Sequence, residues 1–383
     1  MSTSTYDYII SGMGCAGLSL AVHLSKSGFT KDKRILLIDK EEKKINDRTW
    51  CFWETEKGLF DSIVYRSWKS AWFHGHTPYQ KLLNLDPYQY KMIRGIDFYS
   101  YCLEQIHQDE SFDIRHENIR SIRSEKRSAF CETDDNIYEA DVLFNSVFFG
   151  ELEKKSSRHY LLQHFKGWII ETEQDVFDPE VPVLMDFRPN QKWGTAFVYV
   201  MPFTTRRALV EYTLFTESLL SEEAYSEGLS DYVKTHLKCD QWKIIEEEFG
   251  VIPMTNHPFK RFNDRIIHLG TAGGRTKPSS GYTFTFIQKD CIDILASIRT
   301  FGHPFGIKKD KPRFQWYDSV LLNVLSTGKL PGHRVFTELF KHNPPDRILR
   351  FLDNDTKIAE ELRILISLPQ WPFMRAGIQE LTS

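Results

Sequence analysis

The chain has no Cys-x-x-Cys pair; its six cysteines, Cys15, Cys51, Cys102, Cys131, Cys239 and Cys291, stand singly. No His/Cys cluster has metal-ligand spacing. Neither a disulfide scaffold nor a metal site is therefore indicated, and the thiols read as those of a reducing compartment. Also missing is any apolar run near the roughly 18 residues that a membrane-spanning helix needs. The N-terminal stretch lacks a basic leader, and Gly12, Gly14 and Gly17 break its apolar run, which argues against a secretory signal. Charge of one sign is not in excess: 49 Lys and Arg face 52 Asp and Glu, a net of -3, so nothing points to nucleic acid. No low-complexity linker and no internal repeat is present.

What the chain does have is aromatic mass, with 28 Phe, 16 Tyr and 9 Trp among 383 residues. That content suits a large apolar pocket, and it suits a bulky ordinary core almost as well. The first forty residues spell β-turn-α-β. Tyr8-Ile9-Ile10 is strand-like, Leu18 to Lys26 has helical spacing and ends near Gly28, and Arg34 to Asp39 is an apolar run suited to a parallel strand buried on both faces. Trp50 to Trp72 is aromatic and irregular and yields no assignment. Asp97 to His107 reads as a helix with Asp97 as its cap. Strands are expected over 112–115, 128–133, 141–149, 166–173, 182–187, 195–202, 207–213 and 265–269. Helices are expected over 222–237, 241–249 and 282–299, and from Arg313 onward with breaks at Pro331, Pro344-Pro345 and Pro369.

Gly12-Met13-Gly14-Cys15-Ala16-Gly17 is G-x-G-x-x-G placed between the first strand and helix. Glycine is needed for the tight turn, for close approach of a pyrophosphate, and for helix–strand packing, while the free N–H groups of the helix start meet the phosphates. Asp39, ending the second strand, is placed to accept from ribose hydroxyls. The late strand 265–269 runs into Gly270-Thr271-Ala272-Gly273-Gly274. A return to the cofactor so far along the chain favours FAD over NAD, although Thr271 stands where many flavoproteins carry Asp. The fold expected is α/β, a Rossmann-like dinucleotide domain with an inserted β-sheet lobe and a helical C-terminus.

Several segments together resemble the lycopene cyclase family. They are Tyr6 to Leu24, Asn46-Asp47-Arg48-Thr49-Trp50-Cys51-Phe52-Trp53, Leu184-Met185-Asp186, Phe197 to Phe203, Ala208 to Thr213, Gly250-Val251-Ile252-Pro253-Met254 and Gly270 to Tyr282. Arg334-Val335-Phe336 and Leu362 to Leu365 complete the pattern. Tyr212 replaces the second acid of the family's acidic strand, so only Glu211 carries over, and Cys51 and Trp53 replace frequent Ser and His. The resemblance implies a discontinuous FAD-binding domain (1–55, 86–150, 260–300), a substrate lobe (56–85, 151–259) and a helical C-terminal region (301–383). It implies cofactor contacts from Gly12, Gly14, Cys15, Ala16, Gly17, Asp39, Lys40, Arg48, Thr49, Arg94, Gly270, Gly273 and Gly281.

The implied reaction closes the acyclic ends of lycopene to β-ionone rings with reduced FAD as the active form, NADPH as the expected reductant, and no net redox change. Glu211 is the candidate acid or cation stabiliser, with Asp186 as second acid or base and Trp50, Phe52, Trp53 and Tyr199 as tunnel walls. Read without the family, Glu211 is a strand-edge carboxylate paired with Arg206 or Arg207, and Asp186 is a strand-end turn residue. An insoluble polyene implies a peripheral enzyme at the cytoplasmic face of a membrane, with 347–352 and 362–374 as interfacial segments or an ordinary packed helix pair. The oligomeric state is left open. A flavin-dependent aromatic monooxygenase and a non-catalytic carotenoid or flavin carrier are the competing readings.

Overall fold

The computed structural model describes residues 3–76, 78–150, 152 and 158–382. The expected lobe boundary at 150/151 adjoins residues outside that set. The apolar runs read as buried strands form the centre of an eight-stranded sheet. Strands Phe112–Arg115, Ile35–Ile38, Thr3–Ser11, Ile137–Asn145 and Ile266–His268 lie side by side in that order and run parallel. Ile9, Ile10 and Ile35 to Ile38 are fully buried because helices and a β hairpin cover both faces. The first helix, Cys15–Ser27, starts directly on the glycine turn and ends on Gly28, which takes the left-handed conformation at φ 75.

A second, seven-stranded sheet forms the lobe. Its order is Trp242–Thr255, Tyr160–Thr172, Arg207–Thr216, Thr195–Pro202, Val183–Asp186, Ser70–His74, Gln80–Asn84. Alternation along these strands gives the sheet two faces. Val198, Val200, Val210, Tyr212, Trp168 and Ile170 pack beneath the helix Glu222–Thr235. Tyr199, Met201, Leu209 and Glu211 point the other way, toward the dinucleotide domain. The aromatic segment that gave no assignment becomes strands Thr49–Glu54, Arg66–Trp68 and Ser70–His74, the first two joined to Gln89–Arg94 in a small third sheet.

Two expectations fail here. Residues 241–249 are not a helix but the first part of the 14-residue edge strand Trp242–Thr255. Its Lys and Glu residues mark an edge protected from further pairing, a composition that imitates the wet face of a helix. Asp97 is not the cap of its helix: Gly95–His107 starts one turn earlier after Arg94, and Asp97 sits in the first turn bound to that arginine.

From residue 312 the chain is helical, and its helices close over the lobe. Val335, Phe336, Leu339 and Phe340 share one face of the helix Gly332–His342. Phe340 stacks on Phe73 at 4.3 Å and Phe336 on Phe187 at 5.4 Å. Two polar contacts pin this region. Buried Lys277, in the loop after the late glycines, pairs with Asp318 at 2.9 Å and donates to Asn354 Oδ1 at 2.7 Å. Glu361, fully buried, accepts from Arg313 and from the Tyr317 hydroxyl.

Because the Arg313 guanidinium stays about a third exposed (32%) while its partner is fully enclosed, most of the loss in Glu361→Ala falls on packing and on a half-stranded cation. The expected destabilisation is about 3 kcal/mol by urea denaturation, at the low end for a broken buried pair.

Candidate active site

The cavity at the meeting of the two domains is about 510 Å³. One wall is backbone. Gly14, Cys15 and Ala16 line it together with Gly270 and Thr271, and Ser280 to Phe284 join them. The glycines have separable jobs. Gly12 lies at φ +93, and a Cβ there would sit 2.4 Å from Ser146 Oγ. At Gly17 a Cβ would sit 1.9 Å from the Gly12 carbonyl oxygen, so the helix can approach the strand only without one. Around Gly14 a Cβ would meet nothing within 4 Å, which leaves bare backbone at a helix N-terminus facing open space. Gly270, at φ +51, brings the second turn against the first: its Cβ would lie 2.9 Å from that of Ala16. Gly273 is buried beneath that turn, while Gly281, at φ +72, reaches the cavity. Asp39 holds the turn itself, accepting from Met13 N–H at 2.6 Å and Glu41 N–H at 3.0 Å. This cradle fits a dinucleotide phosphate.

The opposite wall belongs to the lobe sheet and carries Gln163, Phe165, Tyr199, Met201, Leu209 and Glu211. Glu211 is paired in register with Gly167, and Gly167 with Glu248 on the next strand. Directly opposed residues project to the same face, so two glutamates straddle a glycine. Their carboxyl groups lie within hydrogen-bonding reach of one another. Glu211 Oε1 accepts from the Thr213 hydroxyl at 2.9 Å, and Glu248 Oε2 from the Thr49 hydroxyl at 2.9 Å. Glu248 Oε1 is buried and takes no hydrogen bond from any fixed donor among the described residues. Enclosure, then the charge of Glu248, raises the Glu211 pKa well above the usual carboxylate range. Enclosure also raises Glu248, with the Thr49 hydroxyl and Arg48 opposing it, so the pair as a unit keeps a proton above the usual carboxylate range.

The cations named by the ordinary reading are spent elsewhere. Arg206 pairs with Asp175 at 2.6 Å and Arg207 lies 3.7 Å from Glu246. Lys166, beside Gly167, points to the other face and binds Glu222 and Glu247.

Asp186 requires correction. It is fully buried on the far face of the sheet, held by Arg188 and by the Tyr232 hydroxyl at 2.7 Å, which ties the strand to the helix Glu222–Thr235. Arg188 holds its carboxyl below the usual range despite burial. A sheet separates it from Glu211, so it is no second acid for the same cavity. Arg94 also departs from expectation: Asp97 grips it at 2.6 and 2.8 Å and Tyr65 lies under its guanidinium, away from the cavity. Lys40 is exposed and outside the cavity lining, whereas Arg48 and Thr49 line it. Trp50 and Tyr199 are wall residues, but Phe52 stacks on Phe284 at 4.3 Å within the core, and Trp53 packs edge-on against Tyr282.

Glu248 escaped the sequence reading because residues 246–248 were placed on a solvated helix. The available signal was Gly250 followed by Val251-Ile252-Pro253, which no helix stop precedes and which a strand continues through.

A glycine turn at a parallel sheet, a late return to it, and a second sheet closing the cavity give the chain a fold shared with solved flavoproteins. A solved flavoprotein/dehydrogenase from Cytophaga hutchinsonii superposes with a TM-score of 0.66, covering 99% of this chain and 100% of that one at 13% identity. The family model described as lycopene cyclase protein matches residues 7–377, and the chain belongs to the lycopene cyclase family. A lycopene beta-cyclase of Pantoea ananas is 22% identical over 97% of both chains. A chloroplastic neoxanthin synthase of Solanum tuberosum is 27% identical over 72% of this chain, and the match spans only 57% of that relative.

A proton held by Glu211 in the folded state, but released near 4.5 by the unfolded chain, makes stability fall as pH rises above that value. Glu211→Gln imitates the protonated form. Its melting temperature is expected to exceed that of the parent at pH 8, and the difference to shrink toward pH 5.

Proposed function

We propose that the chain is a carotenoid cyclase that closes the acyclic ends of lycopene to β-ionone rings, an intramolecular isomerisation with no net redox change. One observation carries this reading: an uncompensated carboxyl group, Glu211, faces the same enclosed cavity as the dinucleotide cradle. Gly14, Cys15, Ala16, Arg48, Thr49, Gly270, Thr271 and Gly281 would hold FAD, on a turn shaped by Gly12, Gly17 and Asp39. Bound in reduced form, that cofactor supplies negative charge against a developing carbocation, and NADPH is the reductant that primes it.

The protein's own part follows from the site. Glu211 donates its proton to C2 of the end group, the C1=C2 pair forms the new C–H bond, and positive charge appears at C1. The C5=C6 pair then forms the C1–C6 bond, charge moves to C5, and loss of the C6 proton restores a C5=C6 double bond. Tyr199, Trp50 and Phe165 offer ring faces to the cation, and Met201 and Leu209 keep the wall apolar so that water does not intercept it.

Membrane delivery is part of the proposal. Ile348 and Leu349, within 347–352, are core, so that segment lies against the protein. In the helices Ile358–Ser367 and Gln370–Leu381, however, Ile358, Leu362, Ile366, Trp371, Met374 and Ile378 are exposed, Ile366 at 72% and Trp371 at 76%. Arg363 and Arg375 are exposed among them. An apolar ridge with basic neighbours supports docking on the cytoplasmic leaflet. No helix among the described residues is long and apolar enough to cross a membrane.

In lycopene-accumulating cells the parent chain is expected to yield cyclic carotenoids. Glu211→Gln should lower them about 100-fold or more with flavin content kept. Stoichiometric NADPH consumption with oxygen uptake would instead mark a monooxygenase. A double variant, Ile366→Glu with Trp371→Glu, should reduce flotation with anionic liposomes about tenfold without lowering the melting temperature.

A further inference from the structure

Outside the cradle, the cavity's least ordinary feature is the pair of carboxyls over Gly167. Strands two apart in a sheet are separated by about 9–10 Å, too far for direct side-chain contact unless the intervening residue yields its space. Gly167 yields it. A Cβ there would stand 2.8 Å from Glu248 Cγ and 3.1 Å from its Oε1, in the volume through which the two acids meet. The register places Glu211, Gly167 and Glu248 in one row, so the gap and both acids arise from three strands that pair independently of any ligand. Each carboxyl has one oxygen fixed by a threonine, Thr213 or Thr49, which leaves Glu211 Oε2 and the buried Glu248 Oε1 outside those two bonds.

We propose that Glu248 is the positioning residue that keeps Glu211 loaded with a single proton, acting through the space above Gly167. This rests on the cyclase reading for its purpose but not for its chemistry. Two ionised carboxylates in contact repel, so the pair retains one proton at pH values where a lone carboxyl would have lost it. Transfer of that proton from Glu211 to C2 leaves two negative charges facing the carbocation. The same repulsion then favours recovery of the proton released from C6, and the pair ends as it began, with no other reactant consumed. Other titratable or charged groups that influence the pair are Cys51, Tyr199 and Tyr282 around Glu211, and Arg48 and Glu246 around Glu248.

The test is infrared difference spectroscopy of the purified flavin-loaded protein through a pH titration, read beside product formation. The protonated-carboxyl stretch that disappears in Glu211→Gln identifies the group. In Glu248→Gln its titration is expected to move to lower pH by about one unit or more, and the high-pH limb of the turnover profile to move with it. Gly167→Ala, which pushes Glu248 aside and leaves both acids present, should produce a shift of the same sign. It serves also if Glu248→Gln fails to fold. A Glu211 signal that titrates at the parental pH in both variants overturns the proposal, even in a chain that cyclises lycopene. A shifted signal in a chain that forms no cyclic product keeps the carboxyl pair and removes the cyclase reading.

Discussion

A carboxyl group taken out of water must keep its proton, find a cation, or lie against donors enough to replace the lost solvent. At the face of the lobe sheet that looks toward the dinucleotide turn, the first solution is adopted. Arg206, Arg207 and Lys166 all lie near in sequence or register, and each is held by another acid. The far face shows the second solution: Asp186, fully buried, is gripped by Arg188 and Tyr232, which hold its carboxyl below the usual range. One sheet thus carries an acid able to give up a proton and another that only ties strand to helix. The difference lies in the company each keeps, not in the residue type.

The second requirement is close approach of backbone to backbone. The first helix abuts its strand through Gly17 and the late turn meets the first through Gly270, so the cavity's floor is built from groups without side chains. Among the described residues, the lobe supplies the opposite wall with large apolar residues and one acid, Glu211, that lines the cavity. Polarity is therefore divided between the walls. One offers N–H groups suited to phosphate, and the other offers rings and a proton suited to a hydrocarbon.

The glycine turn and the following strand were legible in the sequence because their signals are local: an apolar run, a fixed spacing and a helix start. Glu211 was legible only through resemblance, since by pattern alone it pairs with a neighbouring arginine. Glu248 was missed because charges that guard a sheet edge have the composition of a helix surface, and the fact that separates them, register against Gly167, is non-local. Asp186 was misread for a related reason. Alternation along a strand gives two faces, but only the packing of the helix Glu222–Thr235 tells which of them is the cavity's. The strands Thr49–Glu54 and Arg66–Trp68 went unassigned because their pairing partner, Gln89–Arg94, lies well along the chain.

The contact between Lys277 and Asp318 reaches further than its size suggests. Lys277 belongs to the loop whose next residues, Ser280 to Phe284, wall the cavity, while Asp318 belongs to the helix Pro312–Ser326 and Asn354 to the turn after the helix Pro345–Leu352. Those helices are thus part of the vessel rather than a handle attached to it. A chain shortened ahead of Asn354 would strip one acceptor from an enclosed ammonium directly beneath the cavity rim. The terminal helices and the shape of the cavity are consequently properties of one continuous piece of protein.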